Sequence, residues 1–385
     1  MLNCEACGKQ YDIEVESQLC ECGEPLILEY FSGDIKEDDE GWNRYDDLLP
    51  LKIDNELSLG EGLTPLSRAK KLSKELGVNL LLKNETMNPT WSFKDRGTVF
   101  SVQRAIDLDK TKIGTVSTGN MAASVSAYGA RNEAEALVLV PSTISDKKIF
   151  QIQSYGPTIV KVKGDYGDLY YDSFELDLDI YFTNSNSPYR IEGYKTIAFE
   201  IYEKIEPDYL VVPTSSGGLF RGITKGLVEL KISGYIQELP TLVSVQAEGC
   251  SPIYEAYKND GNEIKHWSEP ETVASAIANP LPPGGNDVLR KLERFEGICE
   301  RVSDDEILEA QEEIAQEGIY PQPSSAVGVA ALKNLREKGT IEKGADVVSI
   351  ITGSGLKSRS KTLTKNTIQC DLGELETCLQ NFFRL

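Results

Sequence analysis

Short apolar runs rich in Val and Ile that stop in loops of Gly, Ser and Thr, each loop opening helix-patterned sequence, restrict the fold of this chain more than any other feature. Ile113 to Val116 runs into Ser117-Thr-Gly-Asn120-Met, Tyr209 to Val212 into Thr214-Ser-Ser-Gly-Gly218-Leu, and Val347 to Ile351 into Thr352-Gly-Ser-Gly355. Leu80 to Leu82, Ala136 to Val140, Thr158 to Val162 and Leu242 to Val245 read as further buried strands. Asp304 to Glu317 and Ser324 to Glu337 carry apolar residues at helical spacing with charged opposite faces. Buried strands interleaved with helices predict an α/β architecture whose parallel sheets are covered on both sides. In such sheets ligands gather at the carboxyl ends of the strands, where these loops lie.

A chain of 385 residues is long enough for two or three structural units. The net charge of -21 repels phosphate backbones and anionic lipid, so neither nucleic acid nor membrane is expected as a partner. No apolar segment approaches the roughly 18 residues of a membrane span. The opening Met1-Leu-Asn-Cys-Glu-Ala-Cys lacks the basic start and apolar core of a secretory signal, and a cytoplasmic location is the expectation. The single histidine, His266, lies in a polar stretch and reads as surface, which removes histidine-dependent triads and multi-histidine metal catalysis.

Cys4-Glu-Ala-Cys7 and Cys20-Glu-Cys22 resemble the two knuckles of a zinc ribbon. Tetrahedral Zn2+ needs four thiolates converging from two tight turns, and Gly8 and Gly23, each just past a cysteine pair, suit such turns. The bland alternative is a set of unrelated surface cysteines. Four protein ligands would close the site and make it structural. Cys250, Cys299, Cys370 and Cys378 are scattered and read as ordinary reduced thiols. Asp34, Glu37, Asp38, Asp39 and Glu40 form an acidic, solvated connector after the ribbon.

Lys94 lies in Asn88-Pro-Thr-Trp-Ser-Phe-Lys94-Asp-Arg-Gly97. A lysine becomes a nucleophile toward an aldehyde when burial or nearby positive charge lowers its pKa. Trp91 and Phe93 offer an apolar setting, whereas Asp95 and Arg96 fit a surface ion pair equally well. The loop before Phe220 can cradle a phosphate with backbone N–H groups or serve as a tight connection. The loops at Ser117 and Thr352 likewise admit a site or a helix cap.

Taken in order, the Lys94 segment, Ser117-Thr-Gly-Asn120, Ser215-Ser-Gly-Gly218 and Thr352-Gly-Ser-Gly-Leu-Lys357 resemble the pyridoxal 5'-phosphate (PLP) enzymes of fold type II, the tryptophan-synthase β-subunit family. Within it they are most similar to the threonine synthases. Glu61-Gly-Leu-Thr-Pro65, Asn184-Ser-Asn-Ser-Pro-Tyr-Arg190-Ile-Glu-Gly-Tyr-Lys195 and Gly318-Ile-Tyr-Pro-Gln-Pro-Ser-Ser325 agree, as does the ribbon. The resemblance implies two sheet-containing domains with a cofactor cleft plus the ribbon. The expected division is 1–30 for the ribbon, 31–97 with 190–385 for a large PLP-binding domain, and 98–189 for a small domain.

It also implies that Lys94 holds PLP as a Schiff base and shuttles protons, and that Asn120 bonds the ring oxygen. Ser215, Ser216, Gly217, Gly218 and Leu219 would hold the cofactor phosphate, and Thr352 would meet the ring nitrogen. Ser117, Thr118 and Asn120 would receive the substrate carboxylate, and Ser185 and Arg190 the substrate phosphate. The implied reaction turns O-phospho-L-homoserine and water into L-threonine and phosphate, in a homo-oligomer such as a dimer. Cysteate synthase, acting on O-phosphoserine and sulfite, and threonine or serine dehydratase are the alternatives. A non-catalytic protein whose ribbon recruits a partner is the alternative from another class. Trp91 stands where many relatives carry glycine, and Ala274 to Gly285 only loosely resembles a loop that contains arginine in several threonine synthases.

Overall fold

The computed structural model describes residues 1–357 apart from 16, 145–148, 165 and 177, together with 370, 372 and 380; Cys378 lies outside the described residues. At the N-terminus β1 (Leu2–Asn3), β2 (Gln10–Tyr11) and β3 (Ile27–Leu28) pair antiparallel in the order β2-β1-β3. Gly8, at φ 75°, donates its N–H to Cys4 O at 2.9 Å, and Gly23, at φ 87°, donates to Cys20 O at 2.8 Å. Both turns use the left-handed region that glycine enters without a Cβ clash. The acidic connector is largely exposed and leads to a 3-10 segment, Gly41–Leu48, that buries Trp42, Tyr45 and Leu48.

The body continues through β4 (Leu66–Arg68), α1 (Lys70–Leu76), β5 (Asn79–Asn84) and α2 (Lys94–Asp107). The next stretch holds β6 (Lys112–Val116), α3 (Asn120–Arg131), β7 (Glu135–Pro141), α4 (Phe150–Ser154), β8 (Thr158–Val162), α5 (Tyr166–Asp172) and β9 (Tyr181–Phe182). Then follow α6 (Pro188–Tyr202), β10 (Tyr209–Pro213), α7 (Gly218–Ile232), β11 (Thr241–Ala247), α8 (Pro252–Lys258) and α9 (Gly285–Arg294). The described elements close with β12 (Ile298–Val302), α10 (Asp304–Gln316), α11 (Pro323–Glu337) and β13 (Asp346–Ile351).

A four-stranded parallel sheet has the order β8-β7-β6-β9, and a six-stranded sheet the order β12-β11-β10-β13-β5-β4. Alternate residues of the larger sheet feed two cores, as the period of a strand requires. Leu210, Val212, Val348 and Ile350 pack with Ile197, Ile223 and Leu227 of α6 and α7, whereas Val211, Val347 and Ile351 pack with Val327, Ala330 and Ala331 of α11. Every strand expected from the sequence is present. The sheet departs from all-parallel at its edge, where β4 runs antiparallel to β5. β12 carries Glu300 and Arg301 between apolar ends, a mixture an edge strand tolerates and an apolar-run criterion misses. α7 begins at Gly218, two residues before the expected Phe220.

Helices α2, α6 and α7 meet closely. A Cβ on Gly193 of α6 would lie 1.9 Å from Arg96 O, and one on Gly226 of α7 would lie 2.4 Å from Lys195 O. Glycine is therefore required where these backbones touch. Among the described residues, no helix is long and apolar enough to cross a membrane.

Candidate active site

Lys94 is the first residue of α2, and the loop before it is clamped to the end of β13. Phe93 N donates to Thr352 O at 3.0 Å and Ser354 N to Trp91 O at 3.0 Å, with Ser92 bridged to Gly353. The two charged neighbours of Lys94 turn away from it. Asp95 accepts from Thr90 N at 2.7 Å and Thr90 Oγ1 at 2.6 Å, and burial raises its pKa to about 6. Arg96 is wholly buried between Glu85 and Glu200. The surface ion-pair alternative for Lys94 is thereby removed: among the described residues no carboxylate pairs with its Nζ.

The Lys94 Nζ lies 4.4 Å from the centroid of the Phe93 ring and 5.7 Å from that of Tyr194. Burial and, secondarily, the Arg190 charge bring its pKa down to about 7. Both disfavour the ammonium form, leaving a substantial neutral fraction near pH 7. Arg190 is buried on α6; its Nε donates to Tyr194 Oη at 3.0 Å and its Nη2 to Lys94 O at 3.2 Å. Trp91 has φ 67°, the left-handed region, and the residue is 46% exposed. Glycine at this position would adopt the same turn without strain.

The loop after β6 places Ser117, Thr118 and Asn120 opposite the clamp. Asn120 Nδ2 donates to Gln322 Oε1 at 3.1 Å, and Gln322 Nε2 returns a bond to Asn120 Oδ1 at 3.2 Å. Gly353 sits between them, since a Cβ there would lie 3.2 Å from Asn120 Nδ2, 3.3 Å from Gln322 Oε1 and 3.3 Å from Ser92 Cβ. The Ser92 hydroxyl is buried with no hydrogen-bond partner among the described residues. Thr352 Oγ1 lies 2.8 Å from Ser325 Oγ, which accepts from Gly353 N at 2.9 Å. Ser325 Oγ also lies 3.1 Å from Gly353 O, to which it can donate, so within this pair either hydroxyl can supply the proton. Gln322 and Ser325 carry no role predicted from the sequence; the available signal is a polar Gln-Pro-Ser-Ser run at the start of a helix.

The third loop joins β10 to α7. Among the described residues, no backbone N–H from Ser215 to Leu219 has an acceptor. Gly217 has φ 90°, and a Cβ on it would lie 2.8 Å from Gly284 O. Free N–H groups at the positive end of a 15-residue helix form an anion cradle, so the chain's own residues fit a phosphate here. A Cβ on Gly218 would lie 3.4 Å from Ser185 O and 3.7 Å from the Tyr194 ring. Tyr194 thus touches both this loop and the Lys94 region. Ser185 Oγ donates to Tyr170 Oη at 3.3 Å, and the next-but-one residue Ser187 caps the start of α6. Both amide atoms of buried Asn186 lack partners among the described residues. The structure therefore brings the Lys94, Asn120, Ser215–Leu219, Ser185 and Thr352 segments into one region. It places the Arg190 guanidinium beneath Lys94, bonded within the protein.

The Sγ atoms of Cys4, Cys7, Cys20 and Cys22 all lie within 4.8 Å of one another. Cys4 Sγ is 3.5 Å from Cys22 Sγ and Cys7 Sγ 3.6 Å from Cys20 Sγ. Zinc with tetrahedral thiolates would set the sulfurs roughly 3.8 Å apart, so the cluster fits that ion.

A lysine with lowered pKa, an anion cradle and polar groups at the ends of parallel strands define the class, a PLP-dependent enzyme of fold type II. Residues 57–353 match the family described as pyridoxal-phosphate dependent enzyme. The fold resembles maize serine racemase, with a TM-score of 0.67 and 20% identity over 92% of this chain and 99% of that one. It also resembles threonine deaminase isoform 2 from Solanum lycopersicum, with a TM-score of 0.66 and 22% identity over 92% and 96%. The chain is 39% identical to the threonine synthase of Methanocaldococcus jannaschii, covering 98% of each, and 36% identical to that of Methanosarcina acetivorans, covering 92% of each. It belongs to the threonine synthase family.

Proposed function

We propose that this protein converts O-phospho-L-homoserine and water to L-threonine and phosphate, with PLP as its cofactor. The observation that carries the reading is Lys94, an amine brought to a pKa of about 7 among the Asn120, Thr352 and Ser215–Leu219 loops, in a chain of the threonine synthase family. PLP, when bound, supplies an electron sink that acidifies carbons of an attached amino acid. Lys94 would hold it covalently, Asn120 would bond its ring oxygen, and Thr352, oriented by Ser325, would face its ring nitrogen. The N–H groups of Ser215, Ser216, Gly217, Gly218 and Leu219 would hold its phosphate.

Ser117, Thr118 and Asn120 receive the substrate carboxylate in this reading. Ser185 and Arg190 act on the substrate phosphate, Ser185 as a hydroxyl partner and Arg190 through its charge. Lys94, freed when the substrate's own amino group replaces it, would take the proton from the substrate α-carbon and return it there. Phe93 and Tyr194 limit water beside the amine. Substrate draws the small domain, 98–189, toward the large one, 31–97 with 190–385, excluding all but the reacting water. The ribbon, 1–30, holds structural Zn2+ through Cys4, Cys7, Cys20 and Cys22. The protein is a cytoplasmic homo-oligomer, a dimer in the simplest case.

The test is incubation with O-phosphohomoserine and, separately, with O-phosphoserine plus sulfite, following phosphate and amino-acid product. Threonine and phosphate from the first are expected. Phosphate release from the second pair alone would make the protein a cysteate synthase and overturn the assignment.

A further inference from the structure

Arg221, Lys225 and Glu229 of α7 and Ser233 at its C-cap recur at intervals of four, on one face. Each grips the backbone of the segment that leaves the cysteine ribbon. Arg221 Nη2 donates to Leu26 O at 3.2 Å, and Lys225 Nζ to Leu28 O at 3.0 Å and Glu29 O at 2.9 Å. Glu229 Oε1 accepts from Phe31 N at 3.1 Å and Ser233 Oγ from Gly33 N at 3.2 Å. Arg221, Lys225 and Glu229 are buried. The helix therefore reads main chain along this segment, while Leu26, Ile27 and Leu28 bury their side chains in the core that α7 shares.

The N-terminus of that same helix is the Ser215–Leu219 loop. Arg221 follows it by two residues, and its Nε donates to Asp287 Oδ2 on α9 at 2.6 Å. Gly284, immediately before α9, donates its N–H to Ser216 O at 3.0 Å, and a Cβ on Gly284 would lie 3.0 Å from Arg221 Cδ. The guanidinium thus ties together the two helices that flank the loop. The ribbon grips α9 as well: Glu24 accepts from Asn286 Nδ2 at 2.8 Å and Arg290 Nη2 at 2.6 Å, and Glu5 pairs with Lys291. Arg221 Nη1 is buried with no partner among the described residues.

We propose that Arg221 is a positioning residue for the phosphate-holding loop, and that the four-cysteine ribbon is the brace that sets it. By fixing the Leu26 carbonyl, Glu5 and Glu24 against α7 and α9, the metal-loaded ribbon keeps the Ser215–Leu219 N–H groups aimed at one anion. The inference rests on reading that loop as the cofactor-phosphate site. It separates two contributions to cofactor retention, the covalent one at Lys94 and the one at the phosphate, and assigns only the second to the ribbon.

The experiment titrates cofactor-free full-length protein with PLP and with pyridoxal, which has the aldehyde but no phosphate. Wild type, Arg221→Gln, Arg221→Lys, Glu24→Gln and chelator-treated wild type are compared, with zinc measured by atomic absorption and the bound phosphate followed by 31P NMR. Arg221→Gln and zinc removal are expected to weaken PLP about tenfold or more and shift its phosphorus resonance. Pyridoxal binding should stay within about twofold, and Arg221→Lys should recover part of the loss. Glu24→Gln, a milder change at the ribbon surface, should move PLP in the same direction. Unchanged PLP affinity in all of these, equal losses for PLP and pyridoxal, or a protein that grips PLP normally while isolated without zinc would each overturn the proposal. Wild type binding PLP no better than pyridoxal would instead refute the loop as a phosphate site.

Discussion

Replacing Glu200 by Gln tests how the Lys94 segment is held. Arg96, two residues past the lysine, donates Nε to Glu85 Oε2 at 2.6 Å, and its Nη2 reaches Glu200 Oε2 at 2.7 Å and Glu85 Oε1 at 2.9 Å. Lys83 also pairs with Glu200, which accepts from Leu63 N at 2.8 Å and Thr64 N at 3.2 Å. Two cations face two carboxylates in a buried set that is neutral only while Glu200 is ionised. Burial alone would raise the Glu200 pKa, but Arg96 and Lys83 overcome it and bring the value from 4.5 to about 2. That depression corresponds to about 3 kcal/mol of stability. Removing one partner of a buried pair is expected to cost a similar about 3–5 kcal/mol, because it strands the other charge.

Glu200→Gln keeps the shape and removes the charge, so about 3 kcal/mol of unfolding free energy should be lost at pH 7. The folded pKa is depressed, so this stability is present above the unfolded value of 4.5 and is lost as pH falls toward about 2. The gap between wild type and variant should already be about 0.8 kcal/mol smaller at pH 4 than at pH 7. Urea denaturation followed by tryptophan fluorescence at the two pH values measures both quantities. A gap under about 1 kcal/mol at pH 7, or one that does not narrow in acid, would refute the argument.

Covalent capture of an aldehyde by cofactor-free protein should rise with pH through a midpoint near 7, because burial and Arg190 depress Lys94; Arg190→Met should move the midpoint upward. A midpoint at the ordinary lysine value, read by absorbance, would contradict that electrostatic account. Trp91→Gly exchanges left-handed strain at φ 67° for the loss of a half-exposed indole, so its thermal stability should stay within about 1 kcal/mol of wild type. A drop beyond about 3 kcal/mol would mean the ring is a structural anchor. Gln322→Ala removes both bonds to Asn120 and should raise hydrogen exchange at the start of α3, with a stability loss of about 1–3 kcal/mol. Unchanged exchange there would show that the amide pair does not hold the cleft.

The sheet was legible because short apolar runs and strand-end glycines are local properties. Leu210, Val211 and Val212 reach opposite cores as a period of two demands, and Gly8, Gly23 and Gly217 occupy turns at positive φ. The cysteine spacing was legible for the same reason. What escaped was the meaning of charge inside helices. Arg190, Glu192, Lys195 and Glu200 of α6 are all buried, as are Arg221, Lys225 and Glu229 of α7, although charges along a helix ordinarily mark a solvated face. Some partners are local, as in Lys195 with Glu192 and Lys225 with Glu229, but others lie far along the chain, Glu229 meeting Phe31 and Glu200 meeting Lys83, and several are main-chain atoms with no sequence signature. One local cue does distinguish these helices. Gly193, Gly222 and Gly226 are interleaved with the charges, and a Cβ at each would lie within 2.6 Å of a neighbouring helix atom. A solvated face has no need of glycine, which weakens an exposed helix by about 1 kcal/mol relative to alanine. Charges at helical spacing with glycines between them therefore indicate helices pressed together around buried ion pairs, the arrangement that seats both Lys94 and the ribbon.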